Sequence, residues 1–234
     1  MTRAVAPLVL VALIAPGMLA APTQDKQPPK VAIPQSGVPE IMTIEGEFIR
    51  VAYNNEGYVV LGYRMANESL GEEWMLLEIG ATMRDGKPNY KLTREAISLD
   101  TPAGKTLPLP TNSEYREVDL RSVERRAQVM AERIDYFPPS ARTACRIGFF
   151  AATESRGMAY DQVELSNQRG CLGRVYFKIP GGIQYGQHWL NVKFPNTLIR
   201  VPFRIFTKEE RQTLQKNYGD IRKQIQDAFK KKTD

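Results

Sequence analysis

Between positions 58 and 84 apolar side chains recur at every second residue. Val59, Leu61, Tyr63 and Met65 keep one phase, and Met75, Leu77, Ile79, Ala81 and Met83 keep it again further on. A period of two puts successive side chains on opposite faces of an extended chain, so these stretches read as strands with one face in a core. The strands 47–53, 58–66 and 74–84 are separated by turn material, Asn54-Asn55-Glu56-Gly57 in the first gap and Asp85-Gly86 after the third. Three antiparallel strands follow, and with them a mainly β fold.

Further short strands are expected at 97–100, 105–109, 146–150, 160–165, 174–179, 188–194 and 198–206, the last two as a hairpin about Pro195-Asn196. Their spacing is that of an antiparallel β-sandwich, beginning near residue 40 and ending at 206. One helical insertion near 112–135 interrupts it. Thr111 and Glu114 have capping-box spacing, and Leu120, Val123, Ala127, Met130 and Ile134 recur at helical intervals until Pro138-Pro139. A second box, Thr207 with Glu210, opens a basic amphipathic helix over 207–234. Its narrow seam of Leu214, Tyr218, Ile221, Ile225 and Ala228 suits either packing on the sandwich or a helix from a partner or a second copy.

The first residues hold one charge, Arg3, then an apolar run from Ala4 to Ile14, then Pro16-Gly17 and the small pair Ala20-Ala21. That order of charged start, apolar middle and small-residue cleavage region is the pattern of a secretory signal peptide over 1–21. The run is too short for a spanning helix, which needs roughly 20 apolar residues. Residues 22–39, rich in Pro, Gln and Lys, read as a flexible linker. The mature chain is expected to be exported, periplasmic or extracellular, with no transmembrane span. In that compartment Cys145 and Cys171 are expected to pair, closing a loop of about 26 residues worth roughly 3 kcal/mol in the chain-entropy model.

The 234 residues carry a formal net charge of +6, and loss of the leader removes only Arg3 from it. Such a charge favours contact with anionic surfaces in general, while the interspersion of basic residues with acidic ones in an exported chain argues against nucleic acid as partner. If Ile199, Val201, Phe203 and Ile205 face the core, Arg200 and Arg204 face outward with Lys193, and strand pairing could add Arg174, Lys178 and Trp189. Such a stripe could bind an anionic envelope component or a protein partner.

Residues 59–82, VVLGYRMANESLGEEWMLLEIGAT, and 173–205, GRVYFKIPGGIQYGQHWLNVKFPNTLIRVPFRI, resemble the immunoglobulin-like sandwich modules of bacterial exported proteins. The first looks like a strand pair bracketing an Asn-containing turn and the second like closing strands. The resemblance implies an immunoglobulin-like sandwich used for binding or scaffolding rather than catalysis; no cofactor is expected, and with one histidine and no calcium-loop spacing of Asp and Glu no required metal is expected either.

Signals for catalysis are sparse. The one histidine, His188, is in phase with Leu190, Val192 and Phe194 and reads as a packed residue. Gly104-Lys105-Thr106 lacks the leading glycine of a phosphate loop, Leu99 standing there, and reads as a β-turn. Glu72-Glu73-Trp74 could serve acid/base chemistry on a sugar if a third carboxylate faced it; otherwise it is a charged turn anchored by Trp74. Asn67-Glu68-Ser69 matches a glycosylation acceptor. The function expected is a non-catalytic interaction module of the cell envelope. The alternatives are a secreted hydrolase using carboxylates and a purely structural envelope protein.

Overall fold

A computed structural model describes residues 41–44, 46–150 and 159–217. The signal peptide and linker assigned to 1–39 lie outside them. The chain is mainly β, and its strands form a six-stranded sheet, a four-stranded sheet and a two-stranded pair. In chain order the strands are β1 (Ile41–Ile44), β2 (Ile49–Tyr53), β3 (Gly57–Gly62), β4 (Trp74–Met83), β5 (Tyr90–Thr93), β6 (Ile97–Asp100), β7 (Thr106–Pro108), β8 (Thr143–Ile147), β9 (Gln162–Leu165), β10 (Arg169–Lys178), β11 (Gly186–Lys193) and β12 (Leu198–Ile205). The six-stranded sheet runs β1-β2-β3-β4-β10-β8 and the four-stranded sheet β12-β11-β6-β7. All pairs are antiparallel except β10 with β8.

The alternation read from the sequence is the inner wall of the first sheet. Val59, Leu61, Leu77, Ile79 and Val175 meet Ile97, Leu190, Val201 and Phe203 of the second in one apolar core. A turn from each sheet closes one end of this sandwich. Glu56, in the β2–β3 turn, is 5% exposed and accepts hydrogen bonds from Asn196 N (3.1 Å), Asn196 Nδ2 (2.7 Å) and Thr197 Oγ1 (2.7 Å) in the β11–β12 turn. Asn54 Nδ2 also donates to Thr197 Oγ1 at 2.8 Å. At Gly57 a Cβ would lie 2.2 Å from Phe194 Cε1 and 2.9 Å from the Thr82 carbonyl oxygen, so only glycine fits.

The predicted strand 58–66 ends at Gly62. Met65 and Ala66 are buried, but from helix α1 (Arg64–Glu68), whose Asn67 turns its amide onto the β12 edge. Strand β10 begins at Arg169, five residues before the predicted start, because Gly170 and Gly173 hide a strand from propensity. At Gly173 a Cβ would sit 2.1 Å from the Ile147 carbonyl oxygen of β8. The 146–150 strand lies at Thr143–Ile147, and β1 and β5 have no counterpart in the sequence reading.

The insertion is two helices, α2 (Asn112–Arg116) and α3 (Arg121–Met130), followed by an extended arm, where the spacing predicts one helix. The Thr111–Glu114 capping box is present. Asp119 Oδ1 accepts from Arg121 N at 3.0 Å, a local bond that restarts the chain as α3. Leu120, Val123 and Ala127 are buried as their spacing requires, whereas Ile134 belongs to the arm and to a separate cluster with Ile49, Val51 and Val60. The arm lies on the outer face of the six-stranded sheet along a lane of glycines. A Cβ at Gly62 would be 3.0 Å from Ile134, and Cβ atoms at Gly80 and Gly170 would be 2.8 and 2.6 Å from the Phe137 ring.

Cys145 and Cys171 are bonded, directly opposite each other across β8 and β10. Reduction should therefore lower the melting temperature, by the equivalent of about 3 kcal/mol in the chain-entropy model, and thermal scans with and without dithiothreitol measure it. Burial alone would raise the Glu56 pKa, but the bonds from Thr197 and Asn196 outweigh it and hold the group below its ordinary value of 4.5. Its stabilising effect is complete above that value and is lost as pH falls through the lower folded-state pKa. Glu56→Gln should cost roughly 2 kcal/mol at pH 7 in urea unfolding, with the gap to the wild type closing in acid. Gly57→Ala should cost roughly 2 kcal/mol through overpacking against Phe194, with no such pH dependence.

Candidate functional site

The β11–β12 register places Trp189 opposite Pro202, Asn191 opposite Arg200 and Lys193 opposite Leu198, all on the outer face of the four-stranded sheet. Arg200 donates to Asp100 Oδ2 (2.9 Å) and Asn191 Oδ1 (3.2 Å) and lies 4.8 Å over the Trp189 ring. Arg204 pairs with Glu210 at 2.5 Å. Both arginines thus meet acids of the domain itself. Lys193 is exposed and makes no ion pair among the described residues. Arg174 and Lys178 do not join this face. They lie on β10, in the other sheet, where their alternate positions point away from the core.

The capping box at the start of the terminal helix is formed, Thr207 N donating to Glu210 Oε2 and Glu210 N to Thr207 Oγ1. Arg211 pairs with Glu68 at 2.5 Å and stacks over Phe48, which holds the first turns of this helix against the domain. Leu214 is half-buried; Tyr218, Ile221, Ile225 and Ala228 lie outside the described residues.

The other sequence candidates are occupied by structural contacts. Glu72 pairs with Arg126 at 2.7 Å, and the Glu72 and Glu73 carbonyls accept from Ile183 N and Ile179 N while Trp74 is buried. Gly104 has φ +75° in the turn that joins β6 to β7. The Asn67 amide is engaged by Arg204 O and Phe206 N. His188 is fully buried against Phe203. Burial pushes its pKa down to about 4, and the Gly186 carbonyl only partly opposes that shift. Because a carbonyl only accepts, Nδ1 carries a proton, and the lowered pKa favours the neutral Nδ1–H tautomer at pH 7.

The side chains that converge on open space lie elsewhere, on the outer face of the six-stranded sheet beneath the insertion. Two cavities of about 400 and 200 Å³ share Leu172, Gly173 and Arg174 as common floor and form one trough. Glu78, Glu132 and Ile134 line its first part, with Arg133 and Asp135 paired to each other on the rim at 2.7 Å. Tyr115, Glu124, Gln128, Arg146 and Tyr176 line the second.

Most of the acidic groups and Arg174 are held by partners. Glu124 Oε1 accepts from the hydroxyls of Tyr115 (2.9 Å) and Tyr176 (3.0 Å). Burial, then the Glu124 carboxylate, pushes the Tyr115 phenol up; burial, then Tyr115 and Glu124, does the same for Tyr176. Arg174 reaches Glu78 Oε1 (3.4 Å) and the Ala127 carbonyl (3.3 Å), and Glu132 N donates to Glu78 Oε2 (3.3 Å). Glu132 pairs with Arg64 at 2.8 Å, while its Oε2 is buried without a partner among the described residues. Burial raises the Glu78 pKa against the pull of the Glu132 N–H and Arg174. Burial also raises that of Glu132, opposed by Arg64 and reinforced by the charges of Glu47 and Glu78.

The sequence reading missed this trough because Glu78 is out of phase with Met75, Leu77 and Ile79, and one-sided alternation assigns such a residue to solvent. Leu76 and Gly80 in that same phase were the available signal that the second face is covered. Among the described residues no group of three or more His, Cys, Asp and Glu is placed to hold a metal, and no helix is long and apolar enough to cross a membrane.

Comparison of the chain with family models, curated proteins and solved structures gives no match.

The electrostatics of the trough make a direct expectation. Glu78→Gln removes a like charge from beside Glu132, so the Glu132 carboxyl should titrate at lower pH in the variant. Side-chain carboxyl 13C shifts followed between pH 3 and pH 8 would show this, and an unchanged Glu132 midpoint would mean that the two groups are not coupled.

Proposed function

We propose that this chain is an exported, non-catalytic interaction module of the cell envelope, built as an immunoglobulin-like β-sandwich and recognising a protein or an anionic surface. The observation that carries this reading is the outer face of the four-stranded sheet. It presents Trp189, Arg200 and Lys193 side by side, next to Pro202 and Leu198, with Leu198 45% exposed. An aromatic ring braced by a guanidinium, with a lysine that makes no ion pair among the described residues beside it, is the residue mixture of recognition surfaces.

Export is supported by the order of residues 1–21 and by the Cys145–Cys171 bond, which persists in oxidising compartments. The immunoglobulin-like assignment is supported by the β2–β3–β4 meander facing the sheet that holds the β11–β12 hairpin. In this reading residues 22–39 give the domain reach, and the seam of the terminal helix is its second contact, for a partner or a second copy.

Co-sedimentation of the full chain with isolated native envelopes tests the proposal. The chain should sediment at low ionic strength and be released at about 1 M salt, where screening shortens to roughly 3 Å. Lys193→Glu with Trp189→Ala should reduce sedimentation several-fold while leaving the amide fingerprint intact. A folded double variant that sediments like the wild type would remove this face from the function.

A further inference from the structure

We infer that the trough under the helical insertion binds an oligosaccharide. It lies on the outer face of the six-stranded sheet, so this site is separate from the surface built on Trp189 and Lys193.

An apolar ligand would strip water from Glu78, Glu132 and Arg174 without replacing its hydrogen bonds, a cost of several kcal/mol. A simple anion would meet the carboxylates of Glu78, Glu124 and Glu132, which outnumber the guanidiniums of Arg146 and Arg174 inside the trough.

A neutral polyol satisfies both kinds of wall. Each hydroxyl donates and accepts, so one ring can give protons to carboxylate oxygens and take them from guanidinium N–H groups a few ångströms further on. Ile134, Leu172 and the bare backbone of Gly173 offer a floor for the ring's C–H face. The two cavities, joined at Leu172–Arg174, make the site longer than one compact pocket and place it in the size range of ligand sites. That length calls for linked rings.

The site is also prepared in advance. Two tyrosine hydroxyls fix Glu124, and the Ala127 carbonyl and Glu78 fix Arg174. Groups already held in place lose little freedom on binding.

The test is titration of the 15N-labelled full chain with the β-1,4-linked tetramer of N-acetylglucosamine and, in parallel, with the β-1,4-linked tetramer of glucose. At least one should give saturable amide shifts confined to the trough, residues 78, 115, 124–135, 146–150 and 172–176. Gln128→Ala with Arg146→Ala changes two exposed walls whose side chains make no hydrogen bond among the described residues, so the fold should be kept and the affinity should fall about tenfold. Absence of saturable shifts with both tetramers, shifts that map to another surface, or full affinity in the double variant would each overturn the assignment.

Discussion

A single buried carboxylate sets how the two sheets meet. Glu56 accepts hydrogen bonds from Asn196 and Thr197, so the β2–β3 turn and the β11–β12 turn cannot shift past each other without stranding a charge away from water. Asn54 reinforces it from the same turn, and Gly57 lets the Phe194 ring close against the backbone. The far end of β12 is tied with equal economy: the Asn67 amide donates to Arg204 O and accepts from Phe206 N. One strand of the second sheet is thus fastened to the first at both of its ends. The apolar core between them fills a spacing that these polar contacts determine.

The outer face of the six-stranded sheet obeys a different constraint. Here the strands are covered rather than solvated, and the cover fits because glycines at 62, 80 and 170 leave room for Ile134 and Phe137. Where α3 gives way to the arm, Glu132 N donates to Glu78 rather than continuing the helix. That exchange helps bring Glu78, Glu132 and Arg174 together under one roof. The raised pKa values of the two glutamates follow directly, since the roof that gathers them also keeps water away.

These two constraints explain what was legible in the sequence. Period-two alternation located β2, β3, β4, β6, β11 and β12 to within a few residues, because those strands bury one clear apolar phase. Both capping boxes formed where Thr and Glu stand three apart, a signal that depends on local backbone alone. The same alternation misled at Met65, whose phase matches the strand although its backbone is helical. It also hid the trough: Glu78 and Arg174 stand where a one-sided sheet would face water. The acid partners of Arg200 and Arg204 were equally beyond reach, since Asp100 lies 100 residues before Arg200 and comes alongside only through the β6–β11–β12 register.

The glycine lane also determines where this domain can be cut. Residues 111–142 interrupt the strand order and look like an appendage that evolution or an engineer could discard. Yet they are the wall that keeps Val60 and Tyr176 out of water, and the lane beneath them has no side chains of its own to replace it. A chain trimmed to its strands would uncover Ile49, Val51, Val60 and Leu172 beside the glycines, an apolar patch of the kind on which copies aggregate. The insertion is therefore part of the minimal folding unit, and the sandwich is modular only with its helices attached.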